Sequence, residues 1–239
     1  VARVAAVAPL AAVDTENTRR PYAVVRRLAE QTDSVLVGIS GGKDSAVTLD
    51  LCARHFKHLG AFFYYIVPGL SFQEEWLRAT EHRYGITVHR RPHFQLATMY
   101  RLGGFRPKSF ASDAVPPLKV NDVEADLRAR TGIEWIVSGE RQAESLQRRG
   151  MLSACGGLDA KRRRAYPIAF WPVQAVRRYI KWHGLALSAD SVVLGRSFGD
   201  INSAPVLKAV AERWPEDFNR IREHFPHVEA VLARERFFG

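Results

Sequence analysis

Cysteine is scarce in this 239-residue chain: Cys52 and Cys155 lie far apart, and neither has a second cysteine at metal-ligand spacing. A disulfide framework, a zinc ribbon and a four-cysteine iron–sulfur cluster held by one chain are thereby excluded, so no Fe–S cluster is expected. A protein without disulfides suits a reducing compartment, and the cytoplasm is expected. No apolar run approaches the roughly 20 residues of a membrane-spanning helix. The N-terminal stretch Val1–Val13 comes nearest, but Arg3 interrupts it and Pro9 lies inside it. Ala11-Ala12 resembles a signal-peptide cleavage site, yet the charged flank is weak, and neither export nor a membrane partner is expected. The chain opens on Val1 where an initiator Met would stand, which leaves upstream residues open. The histidines include no H-E-x-x-H arrangement, so a zincin-type metal site is not indicated. Acidic residues are outnumbered, 25 against 35 Lys and Arg, for a net +10 with His neutral. Such an excess favours an anionic partner, either nucleotide phosphates or a nucleic-acid backbone.

The hydrophobic fraction of 46% and charged fraction of 25% are those of a globular chain and exclude disorder, collagen and coiled coil. No internal repeat or low-complexity tract is present. Helical spacing through Tyr22, Val24, Val25, Leu28 and Ala29 precedes a continuous apolar run, Ser34–Ile39, of the kind a buried parallel strand shows. A helix over Asp44–Phe56, a strand over Ala61–Val67, a helix near Phe72–Tyr84 and a strand over Ile86–Arg90 follow. A helix near Asp122–Arg130 and a strand over Ile133–Val137 complete the alternation. It predicts an α/β fold, a parallel sheet flanked by helices on both faces. The stretch Leu102–Leu118, with Gly103-Gly104, Pro107 and Pro116-Pro117, reads as a long loop. Helices near Pro172–His183, Ala204–Trp214 and Pro226–Arg236, with no further strong strand, predict a helical C-terminal extension. The expected organisation is an N-terminal segment and helix over 1–32, a nucleotide-binding α/β domain over 33–185 and the extension over 186–239.

The strongest local signal is Ser40-Gly41-Gly42-Lys43-Asp44-Ser45, directly after a strand and directly before a helix. Two glycines allow a tight turn that aims successive N–H groups at one anion, and the helix N-terminus adds its positive dipole end. Ser40 and Ser45 offer hydroxyl donors and Lys43 a neutralising charge. A bare phosphate would repel Asp44, which is suited instead to capping the helix or holding Mg²⁺. The G-x-x-x-x-G-K spacing of a Walker A loop is absent. In this context SGGKDS resembles the PP-loop of the N-type ATP pyrophosphatases, which cradle the pyrophosphate end of ATP, cleave between the α and β phosphates and adenylate an acceptor.

A second block, Ile136-Val137-Ser138-Gly139-Glu140-Arg141-Gln142-Ala143-Glu144-Ser145, resembles the strand-end G-x-R-x-x-E/Q-S element of phosphoadenosine phosphosulfate (PAPS) reductases and their relatives. Gly139 would let a ligand approach the strand end, and Arg141 supplies a fork of donors for phosphate or sulfate oxygens. Arg148 and Arg149 follow and could extend the anion site, Arg149 reading more as a solvated helix face. A third block, Tyr166-Pro167-Ile168-Ala169-Phe170-Trp171 with Val176-Arg177-Arg178-Tyr179-Ile180, resembles the same family's P-I-x-x-W … V-W-x-Y-I stretch; Trp171 and Tyr179 read as packing residues. The resemblance implies ATP and Mg²⁺ as cofactors and Lys43, Asp44 and Arg141 as catalytic residues, with Asp44 on the metal. It implies nucleotide contacts at Ser40, Gly41, Gly42, Lys43, Asp44, Ser45, Gly139, Arg141, Ser145 and Arg148.

The departures from the family bear on the reaction. PAPS reductases carry a catalytic cysteine in a C-terminal tail, and no cysteine follows Cys155 here. Where many relatives read G-C-x-x-C, this chain reads Gly199-Asp200-Ile201-Asn202-Ser203, and neither Asp nor Ser can reduce a sulfonucleotide or carry a persulfide. Where many relatives read V-D-T-G, it has Val67-Pro68-Gly69-Leu70. Cys52 reads as a small buried hydrophobe. Cys155, in a loop among cations, is the candidate thiol. Three functions remain: an ATP pyrophosphatase or adenylyl transferase, a sulfonucleotide reductase using Cys155 or a partner's thiol, and a non-catalytic nucleotide-binding subunit. The run Lys161-Arg162-Arg163-Arg164, with Arg148, Arg149, Arg177 and Arg178, marks a candidate nucleic-acid contact. A protein partner and a homo-oligomer are the other assemblies expected.

Overall fold

The structure, a computed structural model, describes residues 16–238. The apolar run Val1–Val13 lies outside the described residues. In chain order come α1 (Glu16–Ala29), β1 (Ser34–Ile39), α2 (Lys43–His55), β2 (His58–Tyr65), α3 (Ser71–Tyr84) and β3 (Val88–Pro92). Three helices follow, α4 (Phe94–Leu102), α5 (Phe110–Asp113) and α6 (Val120–Thr131), then β4 (Ile136–Val137), α7 (Leu146–Cys155), β5 (Leu158–Asp159) and β6 (Arg164–Ala165). The chain ends in α8 (Val173–His183), α9 (Ala189–Leu194), α10 (Ala204–Arg213), α11 (Pro215–His224) and α12 (Glu229–Phe238). The sheet order is β3-β2-β1-β4-β6-β5. β1 pairs in parallel with β2 and β4, β4 in parallel with β6, and β5 runs antiparallel to β6. This is the expected helix-flanked α/β sheet. Among the described residues no helix is long and apolar enough to cross a membrane.

The chain divides into two compact units. One comprises the chain up to Phe63 with Leu77–His89 and Thr131–Leu187; the other comprises Tyr64–Trp76, Arg90–Arg130 and Ser188–Gly239. In the first unit Val35, Leu36 and Val37 of β1 are fully buried, as the continuous apolar run requires. Val47 and Leu51 of α2 share one apolar cluster with Ile168, Trp171 and the α8 residues Val176 and Tyr179. In the second unit Val67, Leu70 and Phe72 cluster with Phe198, Ile201, Leu207, Ile221 and Phe225. Asp217 of α11 is buried there, and its carboxylate accepts from the Ser71 N–H (2.8 and 3.0 Å) and the Ser71 hydroxyl (2.6 Å) at the start of α3. Arg220 donates to the Gly69 carbonyl. Val67-Pro68-Gly69-Leu70, which departs from the family pattern, is therefore a seat for α11.

Several elements differ from the expectation, each for a local reason. Leu102–Leu118 is not one loop: α4 closes at Leu102 on Gly103, whose φ of 68° makes a left-handed C-cap, and α5 interrupts the remainder. β5 and β6 have two residues each, too short to show a period, so a hairpin stands where no strand was expected. The segment ending in Cys155 is helical rather than a loop, capped at its N-terminus by Ser145 and closed by Gly156 at φ 57°. α11 starts on Pro215, a favoured first helical position.

A buried charge ties α2 to its neighbours in the first unit. Asp50 is 2% exposed and accepts from Arg54 Nε (2.6 Å), the Tyr179 hydroxyl (2.8 Å) and the Tyr84 hydroxyl (3.0 Å). Burial, reinforced by the Asp50 charge, pushes both phenols above their ordinary range, so they stay protonated and donate. Removing the carboxylate would strand three donors. Asp50→Ala should therefore cost about 3–5 kcal/mol of stability, against about 1 kcal/mol for Tyr179→Phe. Urea denaturation checks the ranking; equal losses in the two variants would show that the carboxylate does not organise the network.

Candidate functional site

β1 lies between β2 and β4, so consecutive connections leave it in opposite directions along the sheet. Ligands of open parallel sheets bind at the carboxyl ends of strands at such a switch point. Both strong sequence blocks emerge there. β1 ends at Ile39 and delivers Ser40–Ser45, while β4, paired with it at Leu36–Ile136 and Val37–Val137, delivers Gly139–Ser145.

Gly41 has φ 78°, a left-handed conformation that L side chains rarely adopt. Gly42 is the N-cap of α2, and no side chain caps the helix. The first-turn amides of α2 have no intrahelical acceptor and point out of the helix end, which suits an anion. The serines are spent on the loop itself. The Ser40 N–H donates to Ser45 Oγ (3.1 Å), the two hydroxyls lie 3.2 Å apart, and the Ser45 hydroxyl donates to the Gly42 carbonyl (3.0 Å). They fix the turn, in which the Gly42 N–H also donates to Ser40 Oγ (3.4 Å), and the amides that can face a ligand are those of the first turn of α2.

Asp44 stands between two cations. Its Oδ2 accepts from Lys43 Nζ and its Oδ1 from Arg141 Nε, each at 2.7 Å. Lys43 keeps 35% of its side chain exposed, whereas Asp44 keeps 15% and Arg141 only 7%. Arg141 also donates to the Trp171 carbonyl (3.5 Å) and lies 3.8 Å from Glu144. It orients Asp44 and braces the first turn of α2, while Lys43 is the cation that solvent and a ligand can reach. Gly139 serves the same junction. A Cβ there would meet the Asp44 backbone at 2.8 Å and Thr48 Oγ1 at 3.0 Å, so the room left by its missing side chain is taken by α2. The Trp171 carbonyl and Thr48, whose hydroxyl donates to the Asp44 carbonyl (2.9 Å), are positioning groups that sequence reasoning missed. No spacing signal marks either.

Asp44 also fits a hard cation. Mg²⁺ in nucleotide sites is held by one or two carboxylates together with substrate phosphates, and a partly exposed carboxylate beside the loop supplies that donor. If Lys43 turns to a phosphate, Oδ2 is released. Among the described residues no group of three or more His, Cys, Asp or Glu could hold a metal ion, so Asp44 and the ligand would have to suffice.

The remaining predicted site residues are placed less favourably for an anion. Ser145 caps α7 by accepting from the Arg148 N–H (3.1 Å). Arg148 is paired with Glu144 and lies 3.6 Å from Glu140, so two carboxylates offset its charge. Lys161-Arg162-Arg163-Arg164 forms the tip and return of the β5–β6 hairpin. There Arg163 pairs with Glu134 (2.6 Å) and Arg162 with Asp159 (3.5 Å). Cys155 ends α7, half-buried, its thiol donating to the Leu152 carbonyl at 3.6 Å. It lines a cavity of about 520 Å³ with Met151, Leu158, Asp159 and Arg162, and no residue of the Ser40–Ser45 loop shares that lining. Cys52 is fully buried, and desolvation pushes its thiol far above the ordinary value, as the hydrophobe reading requires.

No curated protein matches the chain in sequence. Among solved structures, the phosphate complex of PAPS reductase from Candida auris is similar at a TM-score of 0.51 and 17% identity, covering 77% of this chain and 89% of that one. NH3-dependent NAD synthetase from Campylobacter jejuni subsp. jejuni NCTC 11168, in complex with the nitrate ion, has a TM-score of 0.49 and 13% identity over 94% of this chain and 98% of its own. The first likeness shows a shared fold. The sequence model of the phosphoadenosine phosphosulfate reductase domain matches residues 34–189, more than half of the chain and both strong blocks. The chain belongs to that PAPS reductase domain family, within the PP-loop superfamily.

Proposed function

We propose that this protein binds ATP at the Ser40–Ser45 loop, releases pyrophosphate and passes the adenylyl group to an acceptor. The observation that carries the reading is the uncapped N-terminus of α2, opened by Gly41 and Gly42 at the sheet's switch point with Lys43 exposed beside it. In the reaction an acceptor oxygen or nitrogen forms a bond to the α-phosphorus. The bond from that phosphorus to the bridging oxygen of the β-phosphate breaks, and pyrophosphate leaves with the electron pair. The loop amides and Lys43 stabilise the charge that develops on the leaving group. Asp44 would hold a Mg²⁺ ion arriving with the nucleotide, and the ion would neutralise further phosphate charge. Arg141 keeps Asp44 in place. The acceptor is a small carboxylate or a nucleobase.

Lys43→Ala should lower pyrophosphate release from ATP about 100-fold or more, the usual size of losing one such donor. Coupled assay of AMP and pyrophosphate checks this, and undiminished turnover in the variant would sink the reading. Asp44→Asn should cost both turnover and stability, since it leaves the buried Arg141 without its carboxylate. Loss of about 3 kcal/mol or more in urea denaturation is expected.

One observation favours a second reading. Cys155 opens onto a cavity with Arg162 in a chain of the PAPS reductase domain family. With a dithiol reductant, a sulfonucleotide reductase would release sulfite from PAPS, and Cys155→Ser would abolish that release. The cavity's separation from the loop residues favours the first reading. Sulfite formation by wild type that disappears in Cys155→Ser would reverse the order. ATP binding without any product would instead support a non-catalytic nucleotide-binding subunit.

A further inference from the structure

The densest cationic run of the sequence is not the freest cationic surface of the fold. In the β5–β6 hairpin, Glu134 and Asp159 offset two of the charges. On α8 the situation is the reverse. Val176 and Tyr179 are buried against Val47 and Leu51 of α2, which turns Gln174, Arg177, Arg178, Lys181 and Trp182 outward. These positions follow the spacing i, i+3, i+4, i+7, i+8, so they form one continuous stripe along the helix. α8 contains no acidic residue, and none of Arg177, Arg178 and Lys181 pairs with a carboxylate among the described residues. Trp182 is 55% exposed, its ring inclined 17° to that of His183. Arg83 adds a cation at the end of the stripe, donating to the His183 (3.3 Å) and Gly184 (3.2 Å) carbonyls.

We propose that this outer face of α8, Arg177, Arg178 and Lys181 with Trp182 and Arg83 at its end, binds a single strand of nucleic acid. Three unpaired cations track a phosphate backbone, and an indole exposed among them offers a stacking face for a base. From Arg177 to Trp182 the helix rises about 7.5 Å, so the cations line a short length of backbone that leads to the indole. A duplex would present no unstacked base to Trp182. A lipid surface would need an apolar stripe facing outward, whereas the apolar side of α8 is spent on the core. An acidic protein would satisfy the cations but leave the indole without its use. The inference is independent of turnover at the Ser40–Ser45 loop, because strand binding needs no nucleotide.

The test is fluorescence anisotropy of the full chain with a dye-labelled oligothymidylate across a salt series. Wild type should bind, and binding should weaken as salt rises. The triple variant Arg177→Ala/Arg178→Ala/Lys181→Ala should bind at least about 10-fold more weakly, with a log–log salt slope shallower by about 2. Trp182→Ala should weaken binding about 5- to 100-fold, with Trp182→Phe restoring most of it. All these side chains are exposed, and unchanged circular dichroism and melting would verify the folds. The proposal is overturned if wild type does not bind, or if the triple and Trp182 variants bind as wild type does. It is equally overturned if loss appears instead in Lys161→Ala/Arg162→Ala, which would return the contact to the hairpin. Binding to phosphatidylserine vesicles or polyglutamate as tight as to the strand, and indifferent to Trp182→Ala, would mark a lipid or protein surface and overturn it as well. Failure here leaves pyrophosphate release untouched, and loss of that release leaves strand binding intact.

Discussion

The carboxylate of Asp44, held between Arg141 and Lys43, is the interaction on which the site depends. A guanidinium as buried as that of Arg141 is costly without a counter-charge, and its own block offers only Glu144 at 3.8 Å. Asp44 supplies that charge from the first turn of α2, and Gly139 lets the end of β4 come close enough for the bond to form. Two strand ends and one helix end are thereby fixed together at the switch point of the sheet. The positive end of α2 cannot drift from the place where a ligand would sit, and this preorganisation is what an anion site requires.

The same arrangement assigns unlike tasks to three charged groups. Asp44 is compensated on both oxygens, Arg141 is compensated and enclosed, and Lys43 alone has substantial exposure. An approaching phosphate would meet the amide end of α2 and Lys43 first. If it drew Lys43 away, Asp44 Oδ2 would be unmasked and would repel it unless a cation took the place of Lys43. A negative residue within an anion loop is thus no contradiction: it is neutral in effect until a ligand exchanges its partner.

How much of this was legible in the sequence follows from where each residue's partner lies. Ser40–Ser45 was legible because a turn made by its own glycines between a strand and a helix needs no distant information. The parallel sheet followed from the alternation of strands and helices, and the family resemblance singled out Arg141. What Arg141 does was not legible, because Asp44 is 97 residues away. The same limit applies to Arg163, offset by Glu134, and to Val67–Leu70, which seats α11 through Asp217 and Arg220. Ser145 and Arg148 have partners that lie nearer in the chain. A serine before a helix is as good an N-cap as a phosphate donor, and Glu144 at i−4 from Arg148 neutralises it within one turn.

Charge density in a sequence is therefore a poor guide to electrostatic potential on a fold, and α2 illustrates why. It carries two carboxylates, Asp44 at its open end and Asp50 in its interior. Asp50 absorbs the charge of Arg54 and accepts from Tyr179 of α8. That bond clamps α8 to α2 by its inner side and settles the positive charge between the helices without using the cations outside. Among the described residues no carboxylate pairs with Arg177, Arg178 or Lys181, and α8 carries no acid of its own. A rigid helix with its acid account closed internally is a better anion-facing surface than a hairpin tip bearing more cations, since every carboxylate beside that tip lowers the local potential.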